Sequence, residues 1–259
     1  MRRTKIVCTI GPACSSRRML NGLLRAGMDV ARLNFSHGTH EQHAAGMKVL
    51  RELSNGRAKP LAILQDLCGP KVRVGDMPGG PVPLKRGQVV RFAVHPSSDC
   101  ADAIPLPVPE LVSSLDKGDR LLADDGQIEL RVVETGNGWV AARVVMPGFL
   151  SGRKGITSPG VSLNLKAVTE KDMEDLQFGL TQDVDWVAAS YIRRPDDIAP
   201  LREIMAETGI RKPIIAKIEK MEAVRCIEDI LDAVDGIMVA RGDLGVEIPV
   251  DEEIGRAHV

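Results

Sequence analysis

The sequence predicts an α/β protein whose strands form a parallel sheet, open or closed into a barrel, interrupted by one small antiparallel β domain. Three observations carry this reading. Six short apolar and β-branched runs, TKIVCTI, DVARLNF, LAILQD, DWVAASYI, PIIAKI and GIMVARG, are each bounded by Gly, Pro or charge, as strands buried on both faces are. Helical apolar spacings lie between most of them. From Lys71 to Gly155 the alternation stops, and a stretch rich in Pro and Gly carries VVRFAV, RLLAD, IELRVVE and WVAARVVM with only turn signals between them.

Taken in order, TKIVCTI is the first strand. Ser15 or Ser16 can then cap a helix that carries Met19, Leu20, Leu23 and Leu24 inward and ends near Gly27. DVARLNF and LAILQD supply the second and third strands. After the β insertion, Thr169 and Asp172 form a capping-box-like pair ahead of Met173, Leu176 and Leu180. DWVAASYI and PIIAKI follow as strands, and Val224, Ile227, Leu231 and Val234 fall on one face of a further helix before GIMVARG. With 259 residues, 44% hydrophobic and 27% charged, the chain can bury a sizeable core. Its formal net charge of -1 gives no reason to propose nucleic acid or a membrane as partner, and no apolar run is long enough to span a bilayer. Five scattered cysteines (Cys8, Cys14, Cys68, Cys100, Cys226) lack the paired spacings of a zinc site or disulfide framework, which makes a reducing cytoplasm the expected compartment.

Chemistry-bearing residues gather where strands end. PIIAKIEKMEA runs as a buried strand until Lys217 and Glu219, which at i and i+2 emerge on one side of its C-terminal end. ARLNFSHG places Arg32, Asn34 and Ser36 on one face at a strand end, a set suited to a phosphate and to a cation held by oxygens. DLCGPKVR brings Asp66, Lys71 and Arg73 around a Gly-Pro turn. In MVARGDLGVE, Asp243 sits beside glycines that would let backbone N–H groups approach an anion. Each has an ordinary structural reading: a strand-end salt bridge, a strand-to-loop exit, a charged loop, a bare turn. All of them at strand C-termini favour an active site, because that is where parallel α/β folds place one.

TKIVCTIGPACSS, VARLNFSHG, DLCGPKVR, IIAKIE and MVARGDLGVEIP, in this order and with a β insertion after DLCGPKVR, closely resemble the pyruvate kinase family, from about Arg3 to Pro249. The resemblance implies a TIM (β/α)8-type barrel of which strands 1 to 6 are present, incomplete at the C-terminus, with an inserted small antiparallel β-barrel domain. The implied boundaries are 1–70 for the first part of the barrel, 71–156 for the inserted lid and 157–259 for the second part. It further implies transfer of the phosphoryl group of phosphoenolpyruvate to ADP, giving pyruvate and ATP in glycolysis. Lys217 and Arg32 would be catalytic, and Arg32, Lys217, Gly242 and Asp243 would bind substrate. Glu219 and Asp243 would hold Mg²⁺ or Mn²⁺. Asn34, His37, Arg73 and Lys154 would bind the nucleotide. Asn34, Ser36, Asp66 and Leu67 match the family's monovalent-cation site.

Two departures qualify that picture. Potassium-activated members carry Glu where Lys71 stands and Thr where Leu67 stands, and the ammonium of Lys71 could take the space and charge of K⁺. K⁺ is therefore expected to be dispensable. Strand signals run only through about the sixth, and the closing DEEIGRAHV departs from the family, with EIGRAHV read as foreign sequence. The chain is accordingly expected to be a fragment, inactive or poorly soluble alone, of a protein that is a homotetramer when complete. Two other expectations stand beside this one: a Mg²⁺-dependent barrel lyase acting on phosphoenolpyruvate or pyruvate, and a non-catalytic binding fragment.

Overall fold

A computed structural model describes residues 3–95 and 102–248. Cys100, Pro249 and the closing DEEIGRAHV lie outside the described residues. In chain order the first elements are β1 (Val7–Ile10), α1 (Arg17–Ala26), β2 (Val30–Asn34), α2 (His40–Ser54) and β3 (Ala62–Asp66). The central stretch holds β4 (Val82–Leu84), β5 (Val89–Ala93), β6 (Ile104–Pro105), α3 (Pro109–Ser114), β7 (Arg120–Ala123), β8 (Ile128–Gly136), β9 (Trp139–Met146), β10 (Gly148–Leu150) and β11 (Ile156–Thr157). Then come α4 (Glu170–Thr181), β12 (Trp186–Ala189), α5 (Ala199–Thr208), β13 (Ile214–Ile218), α6 (Met221–Arg225), α7 (Ile227–Ala233), β14 (Gly236–Val239) and α8 (Arg241–Glu247). These form two compact units. One comprises Met1–Pro70, Lys166–Ile218 and Glu222–Met238, and the other Lys71–Leu165, Glu219–Met221 and Val239–Val259.

The first unit is a six-stranded α/β sheet in the order β1-β2-β3-β12-β13-β14, the strand set of an incomplete barrel. β1/β2, β2/β3, β3/β12 and β12/β13 pair in parallel. Helices cover the sheet because their ends are specified locally. In α1 the Ser16 side chain accepts from Met19 N, and Gly27, at φ 104°, adopts the left-handed cap that a side chain would resist. Thr39 with Gln42 and Thr169 with Asp172 make full capping boxes at α2 and α4. Met19 is 46% exposed, against expectation, while Leu20 and Leu24 are buried. The helix expected to present Val224, Ile227, Leu231 and Val234 on one face is broken at Cys226 into α6 and α7. The break resets the helical phase, so Val224 and Ile230 are buried and Leu231 is exposed.

Three aspartates, each just ahead of a strand, tie neighbouring strands together at their N-terminal ends. Asp29 Oδ2 accepts from Ile6 N (2.7 Å), Asp185 Oδ2 from Ile63 N (2.6 Å) and Asp235 Oδ2 from Ile214 N (2.8 Å). A cation completes each clamp: Lys59 at Asp29, Arg51 at Asp185 (2.8 Å) and Arg202 at Asp235 (2.8 Å). Arg51 and Arg202 also donate to the carbonyls of Leu61 and Lys212, which lie just before β3 and β13. The clamped pairs β1/β2, β3/β12 and β13/β14 follow one another along the sheet.

In the second unit a six-stranded sheet runs β11-β7-β8-β9-β5-β6, with β4 and β10 as a separate antiparallel ribbon. Only β5, β7, β8 and β9 are expected from the sequence. The short β4, β6, β10 and β11 carry too few residues to show an alternation. The sheet is antiparallel except where β5 meets β6 in parallel, Phe92 against Ile104. Leu84, Phe92, Leu111, Leu121, Leu130 and Leu150 belong to its core. The strand expected to run on to Gly242 stops at Val239, and the GDLG motif forms the first turns of α8 rather than a glycine loop.

The folded environment pulls the Asp235 carboxyl below its ordinary value of 3.8, first through the Ile214 N–H and then through Arg202. A lowered carboxyl contributes stability above its unfolded pKa and loses it as pH falls through the folded one. Asp235→Asn should therefore cost about 1 kcal/mol at neutral pH, a figure kept small because the carboxylate is partly solvated. In urea denaturation from pH 7 to pH 2 the gap between wild type and variant should close below about pH 4. A gap unchanged across that range would show that the carboxylate charge does not serve the clamp.

Candidate active site

Strand register determines what meets at the C-terminal side of the first sheet. Asn34 on β2 and Ala188 on β12 are both level with Asp66, the last residue of β3. Ala189 on β12 is level with Ala216 on β13, which sets Ser190 beside Lys217 one step further on. Side chains at those positions meet. Arg32 reaches Asp66 Oδ2 through Nε (2.7 Å) and Nη2 (2.5 Å), and its Nη1 donates to Thr9 Oγ1 (2.9 Å). Lys217 Nζ lies 3.4 Å from Asp66 Oδ1 and donates to Ser190 Oγ (2.7 Å). Ser190 Oγ donates in turn to the Leu67 carbonyl (2.6 Å).

One carboxylate thus stands against two cations. Asp66 is 1% exposed, and a charge that deeply buried is tolerated only when it is paired. Lys217, 8% exposed, meets the same requirement through Asp66 and Ser190. Arg32 and Lys217 thus converge on the Asp66 carboxylate. An Arg beside a Lys suits a phosphate or carboxylate, the one as a planar fork and the other as a point charge.

The turn after β2 is built by short polar side chains. Asn34 Oδ1 accepts from Ser36 N (3.0 Å), so Ser36 lies in a turn past the strand end rather than on the strand face expected for it. His37 is exposed, and its carbonyl is 2.9 Å from His43 Nε2. The Phe35 carbonyl accepts from Lys171 Nζ (2.9 Å). His43 stacks on Phe35 at 4.0 Å, and its burial there pulls the imidazole pKa down, with the His37 carbonyl acting the other way.

Among residues of the second unit, Lys71 Nζ lies 3.9 Å from Asp243 Oδ1, and its stem passes Gly155, where a Cβ would come within 3.3 Å of Lys71 Cε. Arg73 bridges Gly155 across a short antiparallel contact and donates to the Arg153 carbonyl (2.9 Å). Lys154 is exposed and already paired with Asp124 (2.7 Å), which raises its pKa. Gly242 and Asp243 fall in the first turn of α8, whose N–H groups have no intrahelical acceptor. Glu219 is buried and belongs to the same unit as Asp243. Among the described residues no group of three His, Cys, Asp or Glu gathers for a metal. Two hard carboxylates still fit Mg²⁺, which takes one or two and fills its octahedron with substrate oxygens and water.

Sequence reasoning overlooked Ser190 and Thr9, the hydroxyls that position Lys217 and Arg32. Ser190 did carry a signal, since it directly follows β12 at its C-terminal end.

A parallel α/β sheet with cations and a buried carboxylate at its strand ends, and a β unit inserted after the third strand, defines a barrel-type α/β protein. The chain matches the family "Pyruvate kinase, barrel domain" over residues 1–256, and it belongs to that family. It is 43% identical over 252 residues to a pyruvate kinase of Staphylococcus haemolyticus, covering 96% of this chain and 43% of the relative. It is 45% identical over 256 residues to pyruvate kinase 2 of Synechocystis sp., covering 97% and 43%, and 44% identical over 254 residues to a pyruvate kinase of Geobacillus stearothermophilus, covering 97% and 43%. The chain therefore spans less than half the length of these relatives. A barrel lyase is not favoured by these matches.

If Asp66 is the shared counter-ion, Asp66→Asn should destabilise the chain by about 3 kcal/mol, because two cations lose their buried partner. Urea denaturation at pH 7 measures this. A loss near zero would remove Asp66 from that role.

Proposed function

We propose that this chain carries the phosphoenolpyruvate side of a pyruvate kinase site, and that the complete enzyme passes the phosphoryl group of phosphoenolpyruvate to ADP. The best support is the convergence of Lys217 and Arg32 on the buried carboxylate of Asp66. In this reading the bond between phosphorus and the enol oxygen breaks and one to an ADP oxygen forms. The enolate left behind takes a proton to give pyruvate. Positioning and charge neutralisation do most of the work in such a transfer.

Arg32 holds the phosphoryl group in flight, and Lys217 stabilises charge on that group and on the enolate oxygen. Backbone N–H groups of Gly242 and Asp243 receive the substrate carboxylate. Asn34, His37, Arg73 and Lys154 serve the nucleotide, Lys154 by exchanging Asp124 for a phosphate. Glu219 and Asp243 hold Mg²⁺ or Mn²⁺, which when bound neutralises phosphoryl and enolate oxygens. Residues 71–156 act as a lid inserted between barrel parts 1–70 and 157–259, and a lid excludes water from the transfer. The complete protein works in the cytoplasm as a homotetramer.

Oxalate mimics the pyruvate enolate, so its binding tests the half-site without requiring turnover. Calorimetry with Mg²⁺ should show oxalate binding to the wild-type chain and at least a tenfold loss in Lys217→Met and in Glu219→Gln. Equal binding by all three would overturn the assignment.

The monovalent-cation reading rests on Lys71, whose ammonium beside Asp243 supplies a fixed positive charge. With Asn34, Ser36, Asp66 and Leu67 it replaces a K⁺ site. Oxalate affinity should be the same in potassium and in tetramethylammonium salts. A many-fold gain in potassium would sink this idea.

A further inference from the structure

Within the second unit a largely buried ion pair joins a residue that directly follows Glu219 to one that lies a helical turn after Asp243, and nothing in the proposed chemistry uses it. Lys220 Nζ pairs with Glu247 Oε1 and donates to Thr157 Oγ1 (2.9 Å). Thr157 Oγ1 in turn donates to the same Glu247 oxygen (2.9 Å), closing a ring of three. The Glu247 side chain is 4% exposed and that of Lys220 is 20% exposed. A buried ion pair is weak evidence of stabilisation, because apolar residues of similar size often do as well. What it does supply is a fixed geometry.

Its position says which geometry. Lys220 directly follows Glu219, and Glu247 stands four residues after Asp243 on α8, on the same side of the helix. Locking Lys220 to Glu247 therefore ties the backbone that bears one carboxylate to the helix that bears the other, with Thr157 at the end of β11 as third anchor. We propose that Lys220, Glu247 and Thr157 form a positioning clasp that sets the spacing of Glu219 and Asp243 for a divalent cation. The clasp rests on the reading of Glu219 and Asp243 as ligands. Mg²⁺ and its stand-in Mn²⁺ are sensitive to such spacing, since Mg²⁺ demands a near-ideal octahedron. Partners behind the ligands are typically worth about 10–100-fold in metal affinity.

The sign of one substitution separates positioning from charge. Removing a cation close to a metal site should tighten metal binding if the cation acts only through space. Lys220→Met is instead expected to weaken it. Mn²⁺ binding to the whole 259-residue chain, followed by electron paramagnetic resonance of the free ion, reads this without any assay of turnover. Expected are loss of binding in Glu219→Gln and Asp243→Asn, about a tenfold or greater weakening in Lys220→Met, and a smaller weakening in Thr157→Val. If Lys220→Met fails to fold by circular dichroism, the neutral Thr157→Val decides. Unchanged or tighter binding in the folded clasp variants, with binding lost in Glu219→Gln, overturns the clasp and leaves the metal site standing. Binding that survives both Glu219→Gln and Asp243→Asn, or no Mn²⁺ binding by the wild type, overturns the ligand assignment and the clasp with it.

Discussion

The charge of Asp66 is the constraint on which the rest of the site depends. A carboxylate at 1% exposure needs buried partners, and it finds two cations, Arg32 from β2 and Lys217 from β13. Neither cation is near Asp66 in sequence. They meet because β2, β3, β12 and β13 are neighbours in parallel register, which puts their C-terminal ends at one level. Ser190 and Thr9 then take up remaining donors, so each cation is aimed as well as neutralised. The arrangement is held together electrostatically.

The opposite ends of the same strands show the complementary use of charge. There the aspartates Asp29, Asp185 and Asp235 each accept a backbone N–H from the adjoining strand and a cation from a helix or loop. Each carboxylate has a matching cation. The clamps and the Arg32–Asp66–Lys217 cluster thus lie at opposite ends of the strands. The regular placement of the clamps on successive strand pairs also explains how short strands, of four or five residues, hold a common register.

Much of the architecture was legible in the sequence because its signals are local. Buried parallel strands read as apolar runs, and Ser16, Gly27 and the Thr169–Asp172 pair mark helix ends within a few residues of chain. Signals that depend on phase were less secure. The apolar face drawn through Val224, Ile227, Leu231 and Val234 assumed one unbroken helix, and the break at Cys226 turned Leu231 outward. The four short strands of the second unit were missed because two or three residues cannot display a period of two. GDLG looked like a glycine loop, yet its residues open α8 with Leu244 buried as the helix's apolar anchor.

By itself the sequence determined the strand–helix alternation, the place of the β insertion, and the position of Asp66 and Lys217 at strand C-terminal ends, since periodicity and turn chemistry act over a few residues. Only the tertiary structure decided which of these side chains share a partner. That Lys217 answers to Asp66 and Ser190, and Lys220 to Glu247 and Thr157, depends on strand register and on helix placement across separations of up to 151 residues along the chain for Asp66 and Lys217 (217 − 66). Hydrogen bonds and ion pairs form through space, and a linear pattern has no term for that.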